Sequence, residues 1–266
     1  MAVAPHQAAV VPDQGARGTL FLVPAPLDFG CDDQRPLGEL MPEETLRVAS
    51  RLGHWICENA RTTRAYLKRI HELHPLAHPL QTLQIQELPR EVHKKGDHQG
   101  TFDARPLLAA ALEGRDMGLV SEAGMPAVAD PGSSVVRAAH ELSIRVVPLV
   151  GPVSLLLALA ASGLNGQNFT FVGYLPQDGA ARTQRLRDLE SLAAKHGQTQ
   201  MFIETPYRNQ ALWDALVNGL QGNTRLARAS GLTLGSMQVH CKTVQAWRSA
   251  GKAQISGEPT VFLIGK

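Results

Sequence analysis

The sequence has no long apolar run. The longest, 155–161, is seven residues, far short of the roughly 20 a helix needs to cross a bilayer. Cysteine is scarce: Cys31, Cys57 and Cys241 are far apart and form no C-x-x-C pair. That excludes a disulfide framework and a zinc knuckle, and it predicts reduced thiols in a cytoplasmic protein. The ten His are scattered without ligand spacing, so no metal centre is expected. An excess of one charge is missing as well. Twenty-six Lys and Arg against 24 Asp and Glu leave +2, too balanced to identify a polyanionic partner. Aromatics make up only 5%, which argues against an all-β chain. The chain also lacks G-x-x-x-x-G-K-[ST], a G-x-G-x-x-G after a strand, H-E-x-x-H and G-x-S-x-G. Phosphate cradles, zinc proteases and nucleophile-elbow esterases are therefore not indicated, and a nucleotide-dependent oxidoreductase is a weak reading.

What is present is Ala, Leu, Val and Gly in quantity, the composition of an alternating helix and strand protein. At 266 residues the chain is long enough for two domains, each with its own core. Residues 1–17 read as a disordered tail without the apolar core of a signal peptide. Order is expected from Gly18, because 19–23 is a near-continuous apolar run of strand length closed by Pro24 and Pro26. A strand covered on both faces reads this way. A long loop over 24–42 follows, and a helix starts at Pro42 with acids in its first turn. The alternation continues with strand 54–58, helix 61–70, strand 82–88 and a polar loop over 89–103 carrying Lys94 and Lys95. Next come helix 105–113, strand 117–121, helix 133–142, strand 144–149 and helix 154–162, ended by Gly163. Asn165-Gly166 marks the boundary between domains at 18–164 and 165–266. The second domain reads as strand 169–173, helix 182–195, strand 200–204 and helix 210–220, then strands 225–229, 237–243 and 260–264 joined by short turns. Connection lengths predict an α/β protein with a mainly parallel sheet in the first domain and a mixed sheet in the second.

Several strands end in loops of small residues and Pro, where open α/β sheets bind their ligands. The loop over 121–132 is the most informative. Ala123, Gly124 and Ala127 let backbone approach a ligand, Pro126 and Pro131 stiffen the turn, and its length exceeds what a strand-to-helix connection needs. Similar loops follow at 150–154, 173–176 and 204–208, and all four can converge on one cleft.

These segments in this order, with Gly18-Thr19-Leu20-Phe21-Leu22-Val23-Pro24, Glu58-Asn59-Ala60-Arg61-Thr62-Thr63-Arg64 and Ala161-Ser162-Gly163-Leu164, resemble the tetrapyrrole methylase superfamily along the chain from Gly18. Within it, the similarity points to the small-subunit ribosomal RNA cytidine 2′-O-methyltransferase branch. The resemblance implies two α/β domains, S-adenosylmethionine folded into the cleft between them, and a homodimer. By position it implies cofactor contacts from Pro26 and Leu27, from Ala123, Gly124, Met125 and Val128, from Val153 and Ser154, and from Tyr174, Glu204 and Gly231. A cofactor without phosphate suits apolar, backbone-lined loops.

Glu58 and Arg61 are the candidate catalytic residues. Glu58 is placed to orient an acceptor hydroxyl or take its proton, with pairing to Arg61 or Arg64 as the alternative. Arg61 and Arg64, three apart on one helix, suit phosphate contact or an ordinary solvated face. Glu122 either meets a polar end of the cofactor or caps its loop. The acceptor is RNA ribose or a small molecule. Three departures stand out: Asp28 where the superfamily usually has Gly, an extra stretch over 31–40, and Asn59 where the RNA branch has a second carboxylate. They leave open a cofactor-binding protein that has lost catalysis.

Overall fold

The computed structural model describes residues 17–266 apart from 96, 98–101, 252 and 256, and the backbone alone of 93–95. The expected tail at 1–17 lies outside this range except for Arg17.

The first unit alternates strand and helix. It runs β1 (Thr19–Leu22), α1 (Leu37–Leu40), α2 (Glu43–Arg51), β2 (His54–Cys57), α3 (Ala60–Leu73), β3 (Gln84–Glu87), α4 (Arg90–Lys95), a 3-10 turn (Arg105–Leu108), α5 (Ala109–Leu112), β4 (Met117–Val120), α6 (Ser133–Glu141) and β5 (Arg145–Pro148). The sheet order is β3-β2-β4-β1-β5, every pairing parallel. Both faces are covered, as the apolar run of β1 requires. Leu46 and Leu67 of α2 and α3 pack with Val23 and Trp55 on one side. Val135 and Ala139 of α6 pack with Leu20, Ile56 and Leu108 on the other.

The second unit runs α7 (Ser154–Ser162), β6 (Phe169–Tyr174), α8 (Gly179–His196), β7 (Thr199–Ile203), a 3-10 turn (Pro206–Arg208), α9 (Asn209–Gly219), β8 (Arg225–Ser230), β9 (Gln238–Thr243), α10 (Val244–Ser249) and β10 (Thr260–Gly265). The order β6-β7-β10-β8-β9 has one parallel pair, β6 with β7, among antiparallel ones. α8, α9 and α10 cover one face through Leu189, Trp213 and Trp247. α7, which the sequence groups with the first unit, lies on the other face, its Leu155, Ala158 and Leu159 against Met201, Ala227 and Leu263.

Three expectations are corrected. The loop over 24–42 contains a helical turn, α1, anchored by the buried Leu37. The polar stretch 89–103 opens with a helix, α4. The last strands are separated by α10, capped by the Thr243 hydroxyl, which accepts from the Ala246 amide at 3.2 Å.

Asp97, beyond α4, is buried and closes the start of α6. Its carboxylate accepts from the amides of Gly132 (2.9 Å) and Ser134 (2.8 Å) and the hydroxyls of Ser133 (2.8 Å) and Ser134 (2.6 Å). α6 has no cap of its own at Gly132, so a distant side chain satisfies its orphan donors. Burial alone would raise the pKa of Asp97, but these bonds outweigh it and hold the carboxyl below its ordinary range. Its stabilisation is therefore full above the unfolded carboxylate range and is lost as pH falls through the lower folded value. Asp97→Ala is expected to cost about 2 kcal/mol at neutral pH by urea denaturation, because buried donors lose their partner, and the deficit should shrink in acid.

Candidate functional site

Three loops leaving the carboxyl ends of β1, β4 and β5 meet at Gly124. The backbone of Ala25 pairs with it in both directions, Ala25 N–H to Gly124 O at 2.9 Å and Gly124 N–H to Ala25 O at 3.0 Å. Gly124 has φ +71°, and a Cβ there would stand 3.3 Å from Leu27 Cδ2 and 3.7 Å from the Pro152 carbonyl. At Gly151 a Cβ would run into the Pro24 ring, so the β1 and β5 loops touch because Gly151 is bare. Ala127 and Ala129 also hold positive φ, 65° and 66°. For residues with a Cβ that conformation is strained, and such strain gathers at functional sites.

At the end of β2, Asn59 caps α3 by accepting from the Arg61 amide at 2.9 Å and the Thr62 amide at 3.3 Å. An amide oxygen performs this as well as a carboxylate, so the departure at Asn59 has a structural explanation. Glu58 accepts from the Glu122 amide at 3.3 Å, and the Thr62 hydroxyl donates to Glu122 Oε1 at 3.3 Å. These contacts tie the β2 and β4 ends together. Arg61 and Arg64 lie on the exposed face of α3.

Asp28, in the usual Gly position, is buried against Arg69, with a 2.9 Å ion pair. Arg69 also donates to the Arg35 carbonyl at 3.0 Å. The Tyr66 hydroxyl donates to the Pro24 carbonyl at 2.9 Å, and burial raises its pKa. Together these residues wall a cleft of about 250 Å³ that also includes Pro26, Thr62, Ser121 and Glu122. The Ser121 hydroxyl is buried there with no hydrogen-bond partner among the described residues. The extra stretch over 31–40 crosses to the second sheet. Asp33 accepts from the Gly235 amide at 2.9 Å, and Arg35 reaches the Thr233 carbonyl at 3.5 Å. Both partners lie in the turn that begins at Gly231. There φ is +57°, a conformation that favours glycine, and a Cβ would displace the Glu258 side chain.

The second sheet contributes Tyr174 and Glu204. Oε1 of Glu204 accepts from Arg208 Nη2 at 2.7 Å, Arg208 Nε at 2.9 Å and the Thr205 amide at 2.7 Å. Tyr174 is 58% exposed. Partial burial raises its pKa, and the charges of Asp130 and Glu204 add to the shift.

Sequence reasoning does not single out Asp130. Burial first, then the charges of Glu58 and Glu122, raise its pKa to about 7. Its charge acts on Tyr174 of the second unit, so it joins the two units electrostatically. The only signal in the sequence is its place in the long loop between Pro126 and Pro131.

Of the positions expected to hold a cofactor, Leu27, Gly124 and the loop leading to Val153 and Ser154 come together around Gly124. Pro26 is buried beside them, Ala123 and Met125 flank Gly124 half-buried, and Val128 is exposed. α7 begins after Val153 without a side-chain cap. Gly231 is brought to the first unit through Asp33. Tyr174 faces the charge of Asp130, whereas Glu204 is held by Arg208. Among the described residues no cluster of metal-ligating side chains occurs, and no helix is long and apolar enough to cross a membrane.

A parallel and a mixed sheet, joined through the stretch over 31–40, define the two-domain α/β methylase class of fold. The model of the tetrapyrrole (corrin/porphyrin) methylases matches residues 39–243, and the chain belongs to this family. Ribosomal RNA small subunit methyltransferase I of Micromonospora olivasterospora is 33% identical over 221 residues, 83% of this chain and 61% of that protein. The protein of the same name from Mesorhizobium japonicum is 32% identical over 237 residues, 89% of this chain and 71% of the relative. The chain thus spans about three fifths of the length of the first relative. The crystal structure of the methyltransferase CobJ superposes with a TM-score of 0.54 at 18% identity, covering 94% of each chain, a likeness of fold.

Proposed function

We propose that the protein is an S-adenosylmethionine-dependent methyltransferase acting on a ribose 2′-hydroxyl of RNA. The observation that carries this reading is the meeting of three strand-end loops at Gly124. The residues present fit the cofactor. Backbone of the β1 and β4 loops pairs closely at Gly124, the buried Ser121 hydroxyl lacks a partner among the described residues, and the loops offer backbone amides and carbonyls in place of a phosphate site.

The cofactor supplies a methyl made electrophilic by its sulfonium, so the protein mainly aligns the acceptor and excludes water. Pro26, Leu27, Ala123, Gly124, Met125, Val128, Val153 and Ser154 are the residues proposed to hold it from the first unit and the start of α7, with Tyr174, Glu204 and Gly231 from the second unit. Glu58 holds the Glu122 amide and so positions the β4 loop. All three departures have structural roles, Asp28 in its ion pair with Arg69, the stretch over 31–40 in its bonds to the turn after Gly231 and Asn59 as a helix cap, which removes the main motive for reading the chain as a cofactor-binding protein without catalysis.

Calorimetry with S-adenosylhomocysteine is expected to give binding in the micromolar range, an order of magnitude, and labelled methyl groups should pass to small-subunit ribosomal RNA. No heat at millimolar ligand would refute the reading. Arg61, Arg64 and Lys68 are exposed along α3 and are the proposed phosphate contacts. Arg64→Ala should weaken RNA binding and flatten the plot of log affinity against log salt by about 0.7 to 0.9; an unchanged slope would favour a small-molecule acceptor. The homodimer implied by the resemblance is the expected assembly, with light scattering reporting twice 28.7 kDa.

A further inference from the structure

We infer that the cavity at the far end of α3 takes an unstacked base of the RNA being methylated, an inference that rests on the RNA reading above. Arg61, Arg64, Lys68 and His71 recur at three- and four-residue steps, so they share one face of α3, and all four are exposed. The face starts where Thr62 meets Glu122 and runs roughly 15 Å along the helix. It ends at a cavity of about 430 Å³ whose lining includes Lys68 and His71. Glu72 is the only acid in α3, and Arg69, its remaining cation, turns inward to Asp28. A chain of phosphates is the ligand that a row of this kind follows.

The cavity is built for more than phosphate. Leu76 and Leu80 line it while packing, half-buried, against the core of the first unit. The rings of His71 and His78 and the Gln81 amide line it with them. A phosphate would leave the leucines unused, and an aliphatic group would leave the amide and ring nitrogens unpaired. A heterocycle with apolar faces and hydrogen-bonding edges satisfies both. The walls are also fixed in advance. Nδ1 of His71 accepts from the Leu76 amide at 3.2 Å, which leaves the ring's N–H at Nε2 free to donate. The His78 ring lies over Gly53, where a Cβ would come within 3.1 Å of its Cδ2. The Ala77 amide donates to the Ser50 carbonyl at 2.9 Å, and Thr82 closes a turn on the Pro79 carbonyl through its amide (2.9 Å) and hydroxyl (2.8 Å). A base entering here therefore orders little of the protein. Single-stranded RNA is read in this way, with splayed bases stacked on rings that include histidine and cations tracking the backbone.

Fragments of small-subunit ribosomal RNA that the protein methylates, each with one abasic nucleotide, test the assignment by fluorescence anisotropy. One abasic position should weaken binding to the native protein about tenfold, the scale of a stacked base. His78→Ala should weaken binding of the intact RNA by a similar factor and cancel the abasic penalty, because both remove the same contact. His78→Phe, which keeps a flat ring, should restore both. In methyl transfer His78→Ala should raise KM and leave kcat within about twofold, as expected for a contact equally strong in substrate and transition state. Independently of affinity, the His78 ring protons should shift upfield on addition of the intact RNA and stay in place with the abasic one. Native RNA affinity in His78→Ala, or abasic penalties that add to that substitution at every position, overturns the pocket and leaves the methyltransferase reading standing. Failure of the native chain to methylate any RNA overturns both.

Discussion

Gly124→Val is expected to abolish measurable S-adenosylhomocysteine binding, raising Kd by about 100-fold or more, while far-ultraviolet circular dichroism remains native. The residue holds φ +71°, a conformation that costs an L-residue roughly 1–2 kcal/mol, and more when the side chain is β-branched. A Cβ would also press on Leu27, and the further branches of Val would crowd the Pro152 carbonyl that a Cβ alone would just touch. The two paired backbone bonds to Ala25 would then have to separate, and the β1 and β5 loops would move with them. A loss of about 1.4 kcal/mol is tenfold in Kd, so strain and displacement together reach the stated range. Gly166→Ala is the control, since nothing lies within 4 Å of its Cβ position and its φ is not positive. Native affinity in Gly124→Val would remove this junction from the cofactor site.

The parts of the fold that are legible in the sequence are those decided locally. β1, α7 and the Gly163 cap follow from apolar runs and a glycine whose φ is +71°. The parallel and mixed sheets follow from connection lengths. α4 and α10 are not legible, because their short polar sequences are helical only where neighbouring elements hold them. α10 depends on Thr243 at its start and on Trp247 buried among Trp213 and Leu226. The site divides the same way. The small-residue loops are visible, but the proton affinity of Asp130 arises from burial and from Glu58 on a different strand, which no local pattern records. The stretch over 31–40 likewise reads as an insertion. Only the fold reveals that Asp33 and Arg35 join it to the turn after Gly231.

Trp55→Ala is expected to destabilise the first unit by about 3–5 kcal/mol, the range for emptying a large buried aromatic site. Trp55 is fully buried, and its Nε1–H donates to the Leu52 carbonyl at 3.1 Å. Its strand partner is Gly118, where a Cβ would overlap the indole ring. The ring thus occupies the space that a side chain on β4 would need. Gly118→Ala should consequently cost about 1–3 kcal/mol by overpacking, and that cost should largely vanish when Trp55 is already Ala. Urea denaturation followed by circular dichroism measures all three variants, and additive losses would show that the two residues do not share this space. The pair also bears on function, because β2 and β4 carry Glu58 and Glu122 at their ends. Shifting one strand against the other would strain the contact between Glu58 and the Glu122 amide that ties these ends together.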